Sequence, residues 1–191
     1  MPHVLEPPPT IDPAAPMIAR TDRIVVARTP QALCEWMMMS KLEDSLPDTG
    51  ALPGVIGTTL LTPAWGVVGA RRKVHLSDGG SATEQILDFA AGERFRYQDW
   101  DYTTEAARPI RYAIGEFRYL ALDGGRTELT WTYAFRLRGD RFPGFLGPLG
   151  RWLLKVAFLD RAYAVLMRET LKATKAGAER AAQVGAARRG K

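Results

Sequence analysis

The sequence predicts an α+β domain: a seven-stranded, curved antiparallel sheet wrapped around one long C-terminal helix, with two short helices after the first strand. Three observations lead there. Between Ile56 and Arg138, six strand-like segments are set apart by turn-forming clusters that include Asp78-Gly79-Gly80, Ala91-Gly92 and Asp123-Gly124-Gly125, as in strands joined by tight hairpins. From Leu149 to Ala176 apolar residues recur instead at helical spacing (Leu149, Trp152, Leu153, Val156, Tyr163, Met167, Leu171), over a helix of roughly 40 Å. A sheet with one apolar face and a helix with one apolar stripe bury both by packing on each other.

Residues 1–16 carry six prolines, including Pro7-Pro8-Pro9, and no apolar period, and read as a disordered leader. Met17 to Arg28 has strand character. Thr29-Pro30 supplies an N-cap and a proline at the first helical position for "QALCEWMMM", and Lys41 to Leu46 is a second short helical or irregular piece. The strands that follow are Ile56–Thr62, Val67–Leu76, Ser81–Ala90, Glu93–Tyr102, Arg111–Leu122 and Thr127–Arg138. The domain is thus 17–180, followed by a basic flexible tail over 181–191.

At 191 residues the chain suits one domain with a substantial core. Its formal charge of +5 is concentrated at the end: from Lys175 onward five basic residues face one acid, leaving about +1 for the body, which argues against a nucleic-acid partner. The single cysteine, Cys34, excludes an internal disulfide. No secretory signal and no stretch long enough to cross a membrane is visible, so a cytoplasmic protein without stable membrane insertion is expected. Phosphate-loop, dinucleotide, nucleophile-elbow and zinc motifs are missing, and only two histidines occur; no metal or other cofactor is expected.

In "LTWTYAFRL" (Leu129–Leu137) alternation puts Trp131, Tyr133 and Phe135 on one face. These rings either close a core or wall a cavity. The order of elements, with "VGARRKVHLSDGG", "TEQILDF", "GGRTELTWTYAFR" and the closing "ETLKATKAGAER", resembles the START-like helix-grip superfamily, within it the SRPBCC group of polyketide cyclases/dehydrases and lipid-transport proteins. The resemblance spans about Ile18 to Arg180. It implies a deep pocket between sheet and helix for a hydrophobic or aromatic small molecule, such as a lipid, an isoprenoid or a polyketide-like compound, or alternatively a cyclase, aromatase or dehydratase using the same pocket. It does not fix a reaction. The pocket wall it implies comprises Trp131, Tyr133, Phe135, Tyr112, Phe117 and Tyr97 from the strands, Trp36 and Met38 from the first helix, and Trp152, Val156, Tyr163 and Met167 from the last, with Arg72 as a polar anchor.

Two carboxylates are candidates for acid/base chemistry. Projected at 100° per residue, Asp160 falls within the apolar stripe of the long helix, where desolvation would raise its pKa unless it is paired or rotates outward. Glu84 and Arg72 flank the Asp78-Gly79 turn; a three-residue loop pairs them directly, while a two- or four-residue loop pairs Arg72 with Gln85 and Glu84 with Lys73, and the sequence does not fix which. Paired, they lie inside the pocket as an anchor or outside as a solvated ion pair, the outside placement being the commoner one. Tyr133 or Tyr112 would donate hydrogen bonds. Leu154, Phe158 and Val165 form a second stripe on the opposite side of the helix, suited to a homodimer; "RFPGFLGPLGRWLLK", which mixes apolar with basic residues, offers membrane contact instead.

Overall fold

The computed structural model describes residues 7–189. Strands β1 (Ile18–Val26), β2 (Val55–Leu60), β3 (Arg71–Leu76), β4 (Ser81–Ala90), β5 (Arg94–Trp100), β6 (Ile110–Leu122) and β7 (Arg126–Leu137) form one sheet in the order β1-β7-β6-β5-β4-β3-β2, every pair antiparallel. Helix α1 (Pro30–Met39) and a single 3₁₀ turn at Leu42–Asp44 carry the chain from one sheet edge to the other. Thr29 caps α1 by accepting a hydrogen bond from the Ala32 amide.

The inner face follows from parity. On β7 every second residue from Thr127 to Leu137 is buried, because one face of a pleated strand packs on the core while the other meets solvent. The long helix comprises α2 (Pro148–Leu154), a π-helical segment (Lys155–Tyr163) and α3 (Ala164–Arg189). Its buried residues Leu159, Tyr163, Met167 and Leu171 join Leu33, Ile86, Leu129 and Trp131 in one core. Toward its end α3 is tied to β1: Lys175 Nζ donates to the Val25 carbonyl at 2.8 Å, and the Ala27 amide to Glu179 Oε1 at 2.8 Å.

Four expectations change. Val67 and Val68, assigned to a strand, are exposed in a turn between Gly66 (φ 96°) and Gly69 (φ 87°), a left-handed backbone at both glycines that no strand continues through. Residues 7–16 of the supposed disordered leader lie along the outer face: Gln98 Nε2 donates to the Pro9 carbonyl at 2.9 Å, and Ile11 packs on the outward cluster of Trp100, Tyr112 and Ile114. Residues 1–6 lie outside the described set. The final helix continues through 181–189, where a flexible tail was expected, over an alanine-rich stretch of high helix propensity; residues 190–191 are likewise outside.

The fourth change concerns helix phase. In a π segment each turn closes from i to i+5 and so carries an extra residue, and a 100° projection loses phase across Lys155–Tyr163. Met167 and Leu171 are therefore buried as projected, while Leu149, Trp152 and Val156 point to solvent. Leu154 and Phe158, assigned to an outer dimer stripe, are partly buried against the core, leaving Val165 at the surface. Among the described residues, no helix is long and apolar enough to cross a membrane.

Candidate functional site

Register places three ionisable side chains in a row across the inner face. Arg72 on β3 is opposite Glu84 on β4, which is opposite Asp99 on β5. Arg72 Nε and Glu84 Oε2 are 2.5 Å apart, with the side chains only 11% and 5% exposed; the pair is inside, not on the surface where exposed ion pairs usually lie. The Arg72 guanidinium also sits 3.9 Å from the Trp65 ring centroid, a cation–π contact that helps hold a desolvated cation.

Two small residues on β6, Ala113 and Gly115, separate Asp99 and Tyr97 from β7. Across that gap the Tyr133 hydroxyl donates to Asp99 Oδ2. Its proton thus committed, Tyr133 can only accept from Tyr102, 3.5 Å away, giving an ordered chain Tyr102 to Tyr133 to Asp99. Trp131 Nε1 donates to the Tyr97 hydroxyl at 3.1 Å. Gly115 is required here: a Cβ at that position would lie 2.1 Å from Tyr97 Cζ. Gly115→Ala is therefore expected to displace the Tyr97 ring and cost about 1–3 kcal/mol, as overpacking generally does; chemical denaturation measures it.

The carboxyl of Asp99 is held well above the usual carboxylate range. Burial is the main cause, followed by repulsion from Glu84; the Tyr133 hydrogen bond and the Arg72 charge oppose it. The neutral form of Asp99 is favoured accordingly. Burial likewise keeps Tyr97, Tyr102, Tyr133 and Tyr163 protonated, as hydrogen-bond donors.

A raised folded-state pKa has a definite sign. From about pH 3.9 upward the unfolded chain releases this proton while the folded chain keeps it, so stability falls as pH rises through that window to the folded value. Asp99→Asn, which still accepts from Tyr133, is expected to stabilise the protein at pH values above the unfolded carboxylate range and to flatten that slope. Urea titrations at several pH values check both.

Around these groups lie three adjoining cavities. The first, about 60 Å³, is walled by Met37, Met38, Arg72, Glu84, Phe117 and Thr170 among others. The second, about 130 Å³, is walled by Glu84, Asp99, Tyr97, Tyr102, Tyr133 and Tyr163. The third, about 160 Å³, is bordered by Tyr102, Tyr133, Phe135, Phe158 and Leu166. Trp131 borders the first two, and Leu46 borders all three. The Thr170 hydroxyl is buried in the first wall without a protein partner.

The other candidate residues lie elsewhere. Asp160 is exposed, ion-paired with Lys155 at 2.8 Å and with Arg20 at 3.5 Å; the Lys155 hydrogen bond is the main influence holding its carboxyl below the ordinary range. Asp160 follows Lys155 by five positions, the spacing that brings side chains together on a π turn, so Asp160 is an exposed, ion-paired carboxylate and not a buried acid. Tyr112 shares parity with Ile114 and belongs to the outer cluster with Trp100. Trp152 and Val156 face solvent. Met167 is in the core, and Trp36 packs over Gly177 of α3.

Sequence reasoning missed Asp99 and Tyr102. Parity contained the first, since Phe95, Tyr97 and Asp99 share a face. It could not contain the second: Asp101 adopts φ 56°, and this left-handed residue turns the chain so that Tyr102 reaches the inner side.

No family model and no curated protein matches the sequence. Solved structures do match. The di-domain ARO/CYC StfQ of the steffimycin biosynthetic pathway is 16% identical with a TM-score of 0.61, over 87% of this chain and 52% of that one, so the chain spans about half of StfQ. Ara h 8.0201 is 13% identical with a TM-score of 0.59, over 85% of this chain and 98% of that one. The Zhui aromatase/cyclase from a Streptomyces species is 19% identical with a TM-score of 0.57, over 86% and 94%. At these identities the likeness concerns architecture, and the architecture of this chain is the helix-grip fold.

Proposed function

We propose that the protein binds a small aromatic or otherwise hydrophobic molecule carrying a carbonyl or hydroxyl group, between the sheet and the long helix. The observation that carries this reading is an apolar, ring-lined set of cavities with its polar groups gathered at one place: Arg72–Glu84, Asp99, Tyr133 and Tyr102. Ligand sites combine a mostly apolar wall with a few convergent polar groups in this way. The partnerless hydroxyl of Thr170 adds a further hydrogen-bonding position. Likeness in fold to Zhui and StfQ supports a polyketide-like ligand.

One observation favours an enzyme of the cyclase, aromatase or dehydratase kind. Asp99, with its neutral form favoured and at the end of the Tyr102–Tyr133 hydrogen-bond chain on the wall of the second cavity, would act as a general acid toward a carbonyl or a leaving hydroxyl. Glu84 lies directly opposite Asp99 on β4.

Thermal melting against a panel of quinones, hydroxylated fused-ring aromatics and fatty acids tests binding. A shift with ring compounds, and an affinity about tenfold weaker in Tyr133→Phe, is expected; no shift with any compound contradicts the reading. Conversion of a bound compound by the wild type and not by Asp99→Asn favours the enzyme, and recovery of the compound unchanged favours the carrier.

A further inference from the structure

Phe142, Phe145, Leu149, Trp152 and Val156 are respectively 63%, 60%, 55%, 58% and 39% exposed. They belong to the loop before α2, to α2 and to the start of the π segment, and the rings of Phe142 and Phe145 pack on each other at 6.1 Å. Isolated exposed apolar residues are ordinary, but five large ones within fifteen positions form a patch that calls for a partner.

Charge distinguishes among partners. From Arg138 to Arg161 the chain carries five basic residues and two acids, while the body before Lys175 has a net charge of only about +1. The patch therefore holds a positive surplus that the rest of the body offsets. Two copies meeting through this face would set like charges together. Exposed Trp, Phe and Leu interleaved with Arg and Lys on a helix and its leading loop are instead what an interfacial element needs, rings at headgroup depth and cations at the phosphates.

We propose that this face, formed by Phe142, Phe145, Leu149 and Trp152 with Arg141 and Arg151, docks reversibly on anionic phospholipid membranes. The docking is independent of what the cavity holds. The same helical run presents Phe158 and Tyr163 to the cavities on its other side, so a docked molecule would have its ligand wall next to the bilayer.

Flotation with phosphatidylcholine vesicles, with and without about one third phosphatidylserine, tests this directly. The wild type should float only with the anionic vesicles and should be released by salt. Phe145→Ser/Trp152→Ser should lose binding by at least tenfold while keeping the wild-type melting temperature, both side chains being exposed. Arg141→Gln should weaken binding about fivefold. Failure of the wild type to float overturns the proposal. Full binding by the double variant also overturns it, assigning any attraction to the basic C-terminus, as does a wild-type light-scattering mass of two chains that the double variant reduces to one.

Discussion

Arg72→Met is expected to destabilise the protein by about 3–5 kcal/mol, the usual cost of removing one partner from a buried ion pair. The guanidinium satisfies Glu84 at 2.5 Å, and its charge also lowers the cost of ionising Asp99, which faces Glu84 across the β4–β5 ladder. Without it, Glu84 and Asp99 face each other across the β4–β5 ladder without the Arg72 charge beside them. The Arg72 charge opposes the upward shift of Asp99, so the loss should grow as pH rises and Asp99 is driven to ionise. Arg72→Met/Glu84→Gln should recover much of the deficit, because it leaves no unpaired charge. A double-mutant cycle read by urea denaturation measures the coupling. A single-variant loss below about 1 kcal/mol would mean that the pair is solvated.

Trp131→Ala should cost about 3–5 kcal/mol, as removal of a large buried ring does. Trp131 is 2% exposed, stacks on Phe117 at 5.2 Å between centroids and donates to the Tyr97 hydroxyl. Because Trp131 borders both the first and the second cavity, its removal should join them, and the variant should accept larger ring compounds than the wild type does. Trp131→Phe separates the contributions: it keeps a ring against Phe117 and loses the N–H, so a smaller cost of about 1 kcal/mol is expected. Thermal melting of both variants, with and without ring compounds, gives stability and capacity in one experiment.

Both predictions concern residues that the sequence singles out, for different reasons. Strict alternation in "LTWTYAFRL" is enough to place Trp131, Tyr133 and Phe135 on the inner face, and the hairpin turns at Asp78-Gly79-Gly80 and Asp123-Gly124-Gly125 are enough to make their neighbours antiparallel. The Arg72–Glu84 register needs a three-residue loop, which the sequence does not distinguish from a two- or four-residue one; the structure supplies it. The face is no plainer, since an Arg–Glu pair is found on surfaces far more often than in cores, and only the inward Val74 and Leu76 on either side of His75 fix the parity. Tyr112 shows parity neglected, since it and Phe117 cannot share a face without an intervening bulge, and the bulge lies before Tyr112. Asp160 shows a different obstacle. Its projection assumes 3.6 residues per turn, and nothing in "KVAFLDRAY" announces a π segment. Tyr102 depends on one left-handed residue, Asp101, a conformation that a non-glycine residue adopts only occasionally.

Mass spectrometry of freshly purified protein, first native and then denatured, shows whether the cavities around Asp99 and Tyr133 hold a small molecule. A stoichiometric hydrophobic or aromatic compound, retained by the intact chain and released on unfolding, is expected. Its complete absence, in protein that also takes up none of a supplied panel of quinones, polyphenols and lipids, would overturn the binding proposal and leave the rings of "LTWTYAFRL" as core alone.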